Sequence, residues 1–282
     1  LSCYGRLASA VALLSGASRR VGYRDEAFPY TLTGTLPGKR YDRPGWHEAD
    51  YGVALVDFAA GRQGKPRGAV PPGPPLRLRV SPEGREELRA LLQPILDRAG
   101  AGKLVVLHPG ATNGRAKQWP LPYWIDLILH LRGAGHTVVL SGGPDERHLA
   151  GAITAGARKA TGAGQGDPGL HDPGLHDLSG RTSLPALLAL LERADVMVSG
   201  DSGPLHLAVA VDCPVLAIHG PTDPGQSGPY RARRALVLRH ELPCSPCYNL
   251  QKVADCPLGH TLCQRLVSPE SAFHALLSLL EG

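Results

Sequence analysis

Residues 199–206, with the sequence SGDSGPLH, carry side chains suited to binding a phosphorylated ligand. They follow an apolar run typical of a buried strand and precede a helix, whose first backbone N–H groups can hydrogen-bond to a diphosphate. Gly203 lets the backbone approach a ligand closely, and Ser202 offers a hydroxyl donor. Two interpretations of Asp201 stay open: it accepts hydrogen bonds from sugar hydroxyls, or it caps the helix. His206 is either a ligand contact or a packed helix residue.

A second polar segment, HPGATNGRAKQWP at residues 108–120, also follows an apolar run. It lacks the glycine-lysine pattern of a P-loop, which argues against ATP hydrolysis. Thr112 and Asn113 have small hydrogen-bonding side chains, while Arg115 and Lys117 can neutralise the charge of a leaving diphosphate. For Lys117 the alternative interpretation is a solvated loop charge.

A third candidate is Glu146, in the sequence SGGPDER that follows the next predicted strand. An acid at such a position can accept hydrogen bonds from the hydroxyls of a ribose. The alternative is ordinary pairing of an acidic side chain with the positive end of a helix.

A parallel sheet would bring these strand ends together. Beyond residue 103, short apolar runs alternate with helical patterns, which predicts an α/β fold with a parallel sheet covered on both faces. The predicted strands are 104–110, 137–143, 195–200, 214–220 and 234–240, and the predicted helices are 121–133, one from 145, 184–194 and 203–211. Upstream, the pattern predicts a helix at 6–17, a strand at 19–23, helices at 47–60 and 81–99, and a last helix begins near residue 268.

The chain is predicted to form two domains. Residues 61–80, rich in Gly, Pro and Arg, read as a linker at the end of an N-terminal domain at 1–98, and residues 99–282 form the C-terminal domain. The chain begins without Met and opens directly into helix-like sequence, so we expect the N-terminal domain to lack its beginning.

Charge and hydrophobicity restrict the function classes. The 30 Lys and Arg residues exceed the 25 Asp and Glu residues by a dispersed net charge of +5, which suits an anionic acceptor but does not indicate nucleic-acid binding. No apolar run reaches the roughly 18 residues that span a bilayer, and the start lacks the order of a signal peptide. The sequence therefore predicts a cytoplasmic protein.

Four of the six cysteines, Cys244, Cys247, Cys256 and Cys263, lie close together late in the chain. Such spacing in a cytoplasmic protein favours a metal site over disulfides, and a Cys₄ set would hold a structural zinc ion. Packed or redox-labile thiols are the alternative.

Taken together, these segments resemble the family 9 glycosyltransferases, typified by the ADP-heptose:lipopolysaccharide heptosyltransferases. The matching sequences are HPGA at 108–111, KQWP at 117–120, GGPDE at 142–146, DLSGRTSL at 177–184, SGDSGPLHLA at 199–208 and GPTDP at 220–224. The match covers residues 100–282 in order and spacing, and LSGASRRVGY at 14–23 resembles the end of the family's N-terminal domain.

The resemblance implies a GT-B fold of two Rossmann-like domains and an inverting transfer that needs no metal or other cofactor. It implies a nucleotide-sugar donor, ADP-heptose, and a lipid-linked or saccharide acceptor of the lipopolysaccharide core, reached by peripheral contact with the inner membrane. It places Thr112, Asn113 and Lys117 at the donor phosphates and Glu146 at the ribose. The motif for the donor sugar and diphosphate falls on Asp201, Ser202 and Gly203, with His206 beside it. Asn113 departs from the hydroxyl residue that is common in the family.

The family's general base is an Asp in the first strand–loop of the N-terminal domain, to which no residue of this chain corresponds. The resemblance therefore predicts a chain that binds donor but transfers sugar weakly. Two other functions stay open: a nucleotide-sugar-binding module without turnover, and another GT-B enzyme such as a nucleotide-sugar epimerase.

Overall fold

A computed structural model of the chain was analysed. It describes residues 6–24, 28–36, 45–62, 74–96, 102–111, 114–162, 174–248 and 255–281. The chain divides into two compact units, Leu1–Pro74 and Pro75–Gly282. The boundary falls inside the predicted linker, and the helix Pro82–Leu96 belongs to the second unit, whereas the sequence analysis assigned it to the first domain. No helix of the described residues has the length and apolar character needed to cross a membrane.

The described residues of the first unit form a small parallel sheet, two α-helices and a 3₁₀ turn at Pro29–Thr31. Its elements are α1 (Arg6–Leu14), β1 (Val21–Tyr23), β2 (Gly34–Leu36) and α2 (Glu48–Ala59). Aromatic side chains form its core, where the Tyr23 hydroxyl donates to the Tyr51 carbonyl oxygen at 2.7 Å. This bond satisfies the polar end of a buried tyrosine ring.

The second unit is built around a six-stranded sheet. Its elements are α3 (Pro82–Leu96), β3 (Leu104–His108), α4 (Leu121–Gly133), β4 (Thr137–Leu140), α5 (Arg147–Ala160), β5 (Leu175–Asp177), α6 (Leu184–Arg193), β6 (Val196–Gly200), α7 (Gly203–Ala210), β7 (Val215–Ile218), α8 (Pro224–Ser227), β8 (Ala235–Leu238), α9 (Leu262–Arg265) and α10 (Pro269–Glu281). All of its pairings are parallel, in the order β5-β4-β3-β6-β7-β8. The predicted α/β class, with a parallel sheet, is confirmed.

Both faces of the four central strands β3, β4, β6 and β7 are buried, which explains their continuous apolar runs, whereas the edge strand β8 is partly exposed. Alternate residues such as Leu107 and Val198 pack with α4, α5 and α10 on one face. Their neighbours, such as Val106 and Met197, pack with α3, α6 and α7 on the other. Full burial of each large apolar side chain contributes about 1.5–3 kcal/mol, so both helical layers stabilise the sheet.

Strand order creates a crevice at one place on the sheet edge. From β3 the chain proceeds outward through β4 to β5, whereas from β6 it proceeds outward in the opposite direction through β7 to β8. The carboxyl ends of β3 and β6 are therefore the point at which the strand order reverses. Open α/β sheets bind ligands there, because the loops that follow the two strands diverge.

Candidate functional site

The two polar segments meet at this crevice. His108, the last residue of β3, pairs in register with Ser199 of β6. After β6 the chain turns through Asp201 and Ser202 into α7, which begins at Gly203. Residues 109–111 follow β3, and a short 3₁₀ turn is formed by Arg115–Lys117. Thr112 and Asn113, predicted to contact donor phosphates, lie outside the described residues.

An ion pair joins the two segments across the crevice. Lys117 Nζ donates to the Asp201 carbonyl oxygen at 3.1 Å and lies 3.3 Å from Asp201 Oδ2. Each side chain is only 11% exposed, so the pair is largely shielded from water. Lys117 is thus not a solvated loop charge. The residue at the N-cap position of α7 is Ser202 rather than Asp201, whose carboxylate is paired with Lys117.

The start of α7 is open to a ligand. Gly203 is exposed, and a Cβ at this position would meet no atom within 4 Å. The Ser202 hydroxyl makes no capping hydrogen bond to α7, since it lies 2.7 Å from the Ser199 hydroxyl. The N–H groups of the first helical turn, apart from Pro204, which has none, therefore keep their capacity to bind an anion. His206 lies one turn into α7 and is half-buried.

Glu146 occupies the neighbouring flank of the crevice, at the end of a 3₁₀ turn after β4. Its Oε2 accepts a hydrogen bond from the Gly143 N–H at 2.7 Å, and its Oε1 lies 3.9 Å from His108 Nε2. Gly110 leaves room for it, because a Cβ at Gly110 would overlap the Glu146 carboxylate and displace the end of that side chain. Burial lowers the pKa of His108, although Glu146 and the Ser141 carbonyl oppose that shift.

His219 is a buried residue of the site that the sequence analysis did not single out. It follows β7, is fully buried, and places Nδ1 3.1 Å from the Thr222 hydroxyl. Burial lowers its pKa to about 4, while nearby Asp201 opposes the shift and His206 and Lys117 add to it. Within the part of the chain that is described, its Nε2 has no hydrogen-bond partner. The sequence signal that could have identified His219 is the apolar run of β7, which this histidine follows directly.

The predicted zinc site at Cys244, Cys247, Cys256 and Cys263 stays a prediction. All four are free thiols, and no group of three or more His, Cys, Asp or Glu side chains among the described residues is arranged to hold a metal ion. Burial, with Cys256 and Cys244 nearby, raises the pKa of Cys247. A hydrogen bond from the Thr261 backbone is the main cause that lowers the pKa of Cys256.

Comparison with known proteins places these residues in a wider context. A family model described as Glycosyltransferase family 9 (heptosyltransferase) matches residues 3–257. A curated relative, lipooligosaccharide heptosyltransferase 2 of Campylobacter jejuni, is 27% identical over 67% of this chain and 54% of its own length. Another, lipopolysaccharide heptosyltransferase 1 of Pseudomonas aeruginosa, is 35% identical over 64% of this chain and 49% of its own. The chain spans about half the length of the curated relatives it matches.

Two solved structures have a similar fold. The ADP-heptose lipopolysaccharide heptosyltransferase II of Escherichia coli has a TM-score of 0.71 at 22% identity, covering 98% of this chain and 73% of its own. A family 9 glycosyl transferase from Veillonella parvula has a TM-score of 0.72 at 19% identity, covering 99% of this chain and 72% of its own. These similarities confirm the predicted GT-B fold class.

Proposed function

The chain belongs to glycosyltransferase family 9, and on that premise we propose that it transfers a sugar from a nucleotide-activated donor to a saccharide acceptor of the cell envelope. The donor we propose is ADP-heptose and the acceptor is the lipopolysaccharide core. Two similar curated proteins are named lipooligosaccharide and lipopolysaccharide heptosyltransferases, and a protein of similar fold is named an ADP-heptose heptosyltransferase. The reaction would take place at the cytoplasmic face of the inner membrane, with the protein bound peripherally.

The observation that carries the proposal is the shielded Lys117–Asp201 pair beside the open start of α7. A diphosphate bound there would accept hydrogen bonds from the helix N–H groups and from Lys117. Lys117 then gives up one partner, Asp201, for a ligand of higher charge. The Asp201 carboxylate becomes available to accept hydrogen bonds from sugar hydroxyls. This one exchange of partners would thus let Lys117 bind the diphosphate and Asp201 bind the sugar of the donor.

The proposed transfer is an inverting displacement. The acceptor hydroxyl attacks the anomeric carbon, the bond from that carbon to the diphosphate oxygen breaks, and a general base takes the hydroxyl proton. Negative charge grows on the leaving diphosphate, where Lys117 and the N–H groups of α7 are already oriented to stabilise it. These fixed charges supply what a metal ion would otherwise supply, so we propose a metal-independent reaction. No described residue is assigned as the base.

The nucleoside half of the donor would lie along the β4 flank. Glu146 is held by the Gly143 N–H through one carboxylate oxygen and can accept ribose hydroxyls with the other. Thr112 and Asn113 would add hydrogen bonds to the phosphates from the loop after β3. Ser202, Gly203 and His206 complete the proposed donor contacts at α7.

Titration calorimetry with ADP-heptose, ADP and a UDP-sugar tests the donor proposal. We expect the ADP compounds to bind, and Lys117→Ala to weaken that binding about 10- to 100-fold, since it removes a charge-assisted contact worth about 1.5–3 kcal/mol. Lys103→Ala is the matched control, because Lys103 lies at the opposite end of β3 with a side chain that is 51% exposed. Equal binding of all nucleotides by both variants would refute the donor site.

Release of ADP, measured with and without a lipopolysaccharide-core acceptor, tests the transfer step. Release that requires the acceptor supports transfer. Donor binding without any release would mean a binding module, and conversion of donor without acceptor would mean an epimerase-like enzyme. Either of the last two outcomes would overturn the proposed reaction while leaving the donor site intact.

A further inference from the structure

The cysteine-containing segment, residues 241–265, follows β8. Its described residues contact the loop that carries Lys117. The Tyr248 ring faces Lys117 Nζ, with the ammonium nitrogen 5.0 Å from the ring centroid. A cation at this distance from an aromatic face is attracted by the ring's quadrupole. Lys117 therefore has an aromatic neighbour in addition to Asp201. The sequence motif that contains Lys117 does not indicate this aromatic contact.

The position of Tyr248 is set by the turn after β7. The backbone N–H groups of Cys247 and Tyr248 both donate to the Pro221 carbonyl oxygen, at 3.0 and 2.9 Å. The Ser245 hydroxyl donates to the Gly220 carbonyl oxygen at 2.6 Å. Three hydrogen bonds thus attach the backbone around Tyr248 to the edge of the sheet. Because the backbone of Tyr248 is already held, contact between its ring and the ammonium group orders the side chain alone.

Two more contacts attach the same loop to the later part of the segment. Gln264 Nε2 donates to the Lys117 carbonyl oxygen at 3.0 Å, and Gln264 is only 1% exposed. Arg115, two residues before Lys117, forms two hydrogen bonds with the Asp255 carboxylate, at 2.9 and 3.1 Å. The loop is thus contacted at the Lys117 side chain, at its backbone and at Arg115.

We propose that Tyr248 is a positioning residue of the donor site, whose ring holds the Lys117 ammonium group in place to receive the donor diphosphate. This inference rests on the proposed donor role of Lys117. The aromatic face is not an anion that phosphate displaces, so it stays in contact with the ammonium group when Asp201 is replaced by phosphate. The segment that contains the cysteines then belongs to the donor site through Tyr248, Asp255 and Gln264.

The first measurement needs no ligand. Lysines are acetylated with limiting reagent and the modification of each lysine is quantified by mass spectrometry, with exposed Lys103 as the internal reference. We expect Tyr248→Leu to raise the ratio of Lys117 to Lys103 modification by about threefold or more, because the ring no longer covers the amine. Tyr248→Phe keeps the aromatic face and should retain the wild-type ratio.

The second measurement is calorimetric binding of ADP to the same variants. Tyr248→Leu should weaken ADP binding about threefold to tenfold, the range expected for loss of a partly shielded cation–π contact, and Tyr248→Phe should restore it. Leu258→Ala is the control from the same segment, since Leu258 is 62% exposed and should change neither readout. The melting temperature of each variant is measured, and only variants whose melting temperature equals that of the wild type are compared. Tyr248→Gln replaces Tyr248→Leu if the leucine variant unfolds.

The two measurements separate the two hypotheses. Wild-type protein that fails to bind ADP would refute the donor proposal, and the acetylation ratio would still decide whether Tyr248 covers Lys117. Wild-type acetylation and ADP affinity in Tyr248→Leu would overturn the positioning role. Equal losses in Tyr248→Phe and Tyr248→Leu would overturn it as well, because the aromatic face would then not be what matters.

Discussion

The carboxyl edge of the six-stranded sheet has one largely shielded ion pair beside the exposed pair of Arg115 and Asp255, whereas the two pairs compared at the amino edge are both more exposed. At the carboxyl edge, Lys117 and Asp201 form a pair in which each side chain is 11% exposed. At the amino edge, Lys103 pairs with Asp195 with side chains 51% and 30% exposed, and Arg233 pairs with Asp212 at 76% and 47%. Exposed pairs contribute about 0–1 kcal/mol each. A shielded pair incurs a desolvation cost that stability alone does not repay.

This difference indicates where function constrains the sequence. Stability would be served as well by apolar residues at positions 117 and 201, because buried ion pairs are often replaceable without loss. Under the proposed function the Lys117 charge meets a phosphate, and it could not be replaced in this way. The proposed function requires no phosphate contact at the amino edge, and the paired side chains there are 30–76% exposed.

The largest expected difference between the two edges is in the pH dependence of unfolding, which a buried histidine at one edge and a partly buried histidine at the other should change by different amounts. His219 has a pKa of about 4 against an ordinary value of 6.5, so the unfolded chain binds more protons between these pH values. The free energy of unfolding should therefore fall as pH drops from 6.5 to 4, by up to about 3 kcal/mol from this residue. His219→Gln should flatten that part of the profile, as measured by urea unfolding at several pH values.

His136, just before β4 at the amino edge, provides the comparison. It is half-buried, and burial is the main cause that lowers its pKa. His136→Gln should change the same pH profile less than His219→Gln does. A larger effect at His136 would contradict the contrast between the two edges.

The next contrast concerns charge removal at nearly constant shape. Asp201→Asn leaves the shielded Lys117 ammonium without its anionic partner and should lower the free energy of unfolding by about 1–3 kcal/mol. Asp212→Asn removes the partner of exposed Arg233, and Asn tolerates the positive φ of 64° at this position. That variant should stay within about 0.5 kcal/mol of wild type. Denaturant unfolding at one pH measures both, and equal losses would remove the distinction.

The smallest contrast uses one glycine from each edge. Gly102→Ala would push a Cβ into the Gly135 carbonyl oxygen, a backbone atom that cannot move freely, so we expect a loss of about 1–3 kcal/mol in unfolding free energy. Gly110→Ala would instead displace the end of the Glu146 side chain, at less than about 1 kcal/mol.

The two glycine variants should affect ligand binding in the opposite order. Gly110→Ala should weaken binding of ADP, because the displaced Glu146 can no longer meet the ribose, whereas Gly102→Ala should leave the affinity unchanged. Calorimetry on both folded variants measures this. Unchanged ADP affinity in Gly110→Ala would argue against the ribose role of Glu146.

Much of the fold was predictable because the four central strands of the larger sheet are buried on both faces. Continuous apolar runs placed β3, β4, β6, β7 and β8 to within a few residues, and the helix predicted at 121–133 is observed with those bounds. The short strands β2 and β5 were missed. Three residues are too few to show a period, and β5 has the sequence LHD, of which only Leu175 is fully buried.

The sequence by itself determined the α/β class and the polar residues that follow β3, β4 and β6, because burial and strand ends leave local patterns. Only the tertiary structure decided which of these residues meet. Lys117 and Asp201 are 84 positions apart and come within 3.3 Å because β3 lies beside β6. The same order brings His219 and Tyr248 to that pair, although neither stands in a motif with it. Strand order is set by the joint packing of both helical layers, a long-range property that no local pattern records.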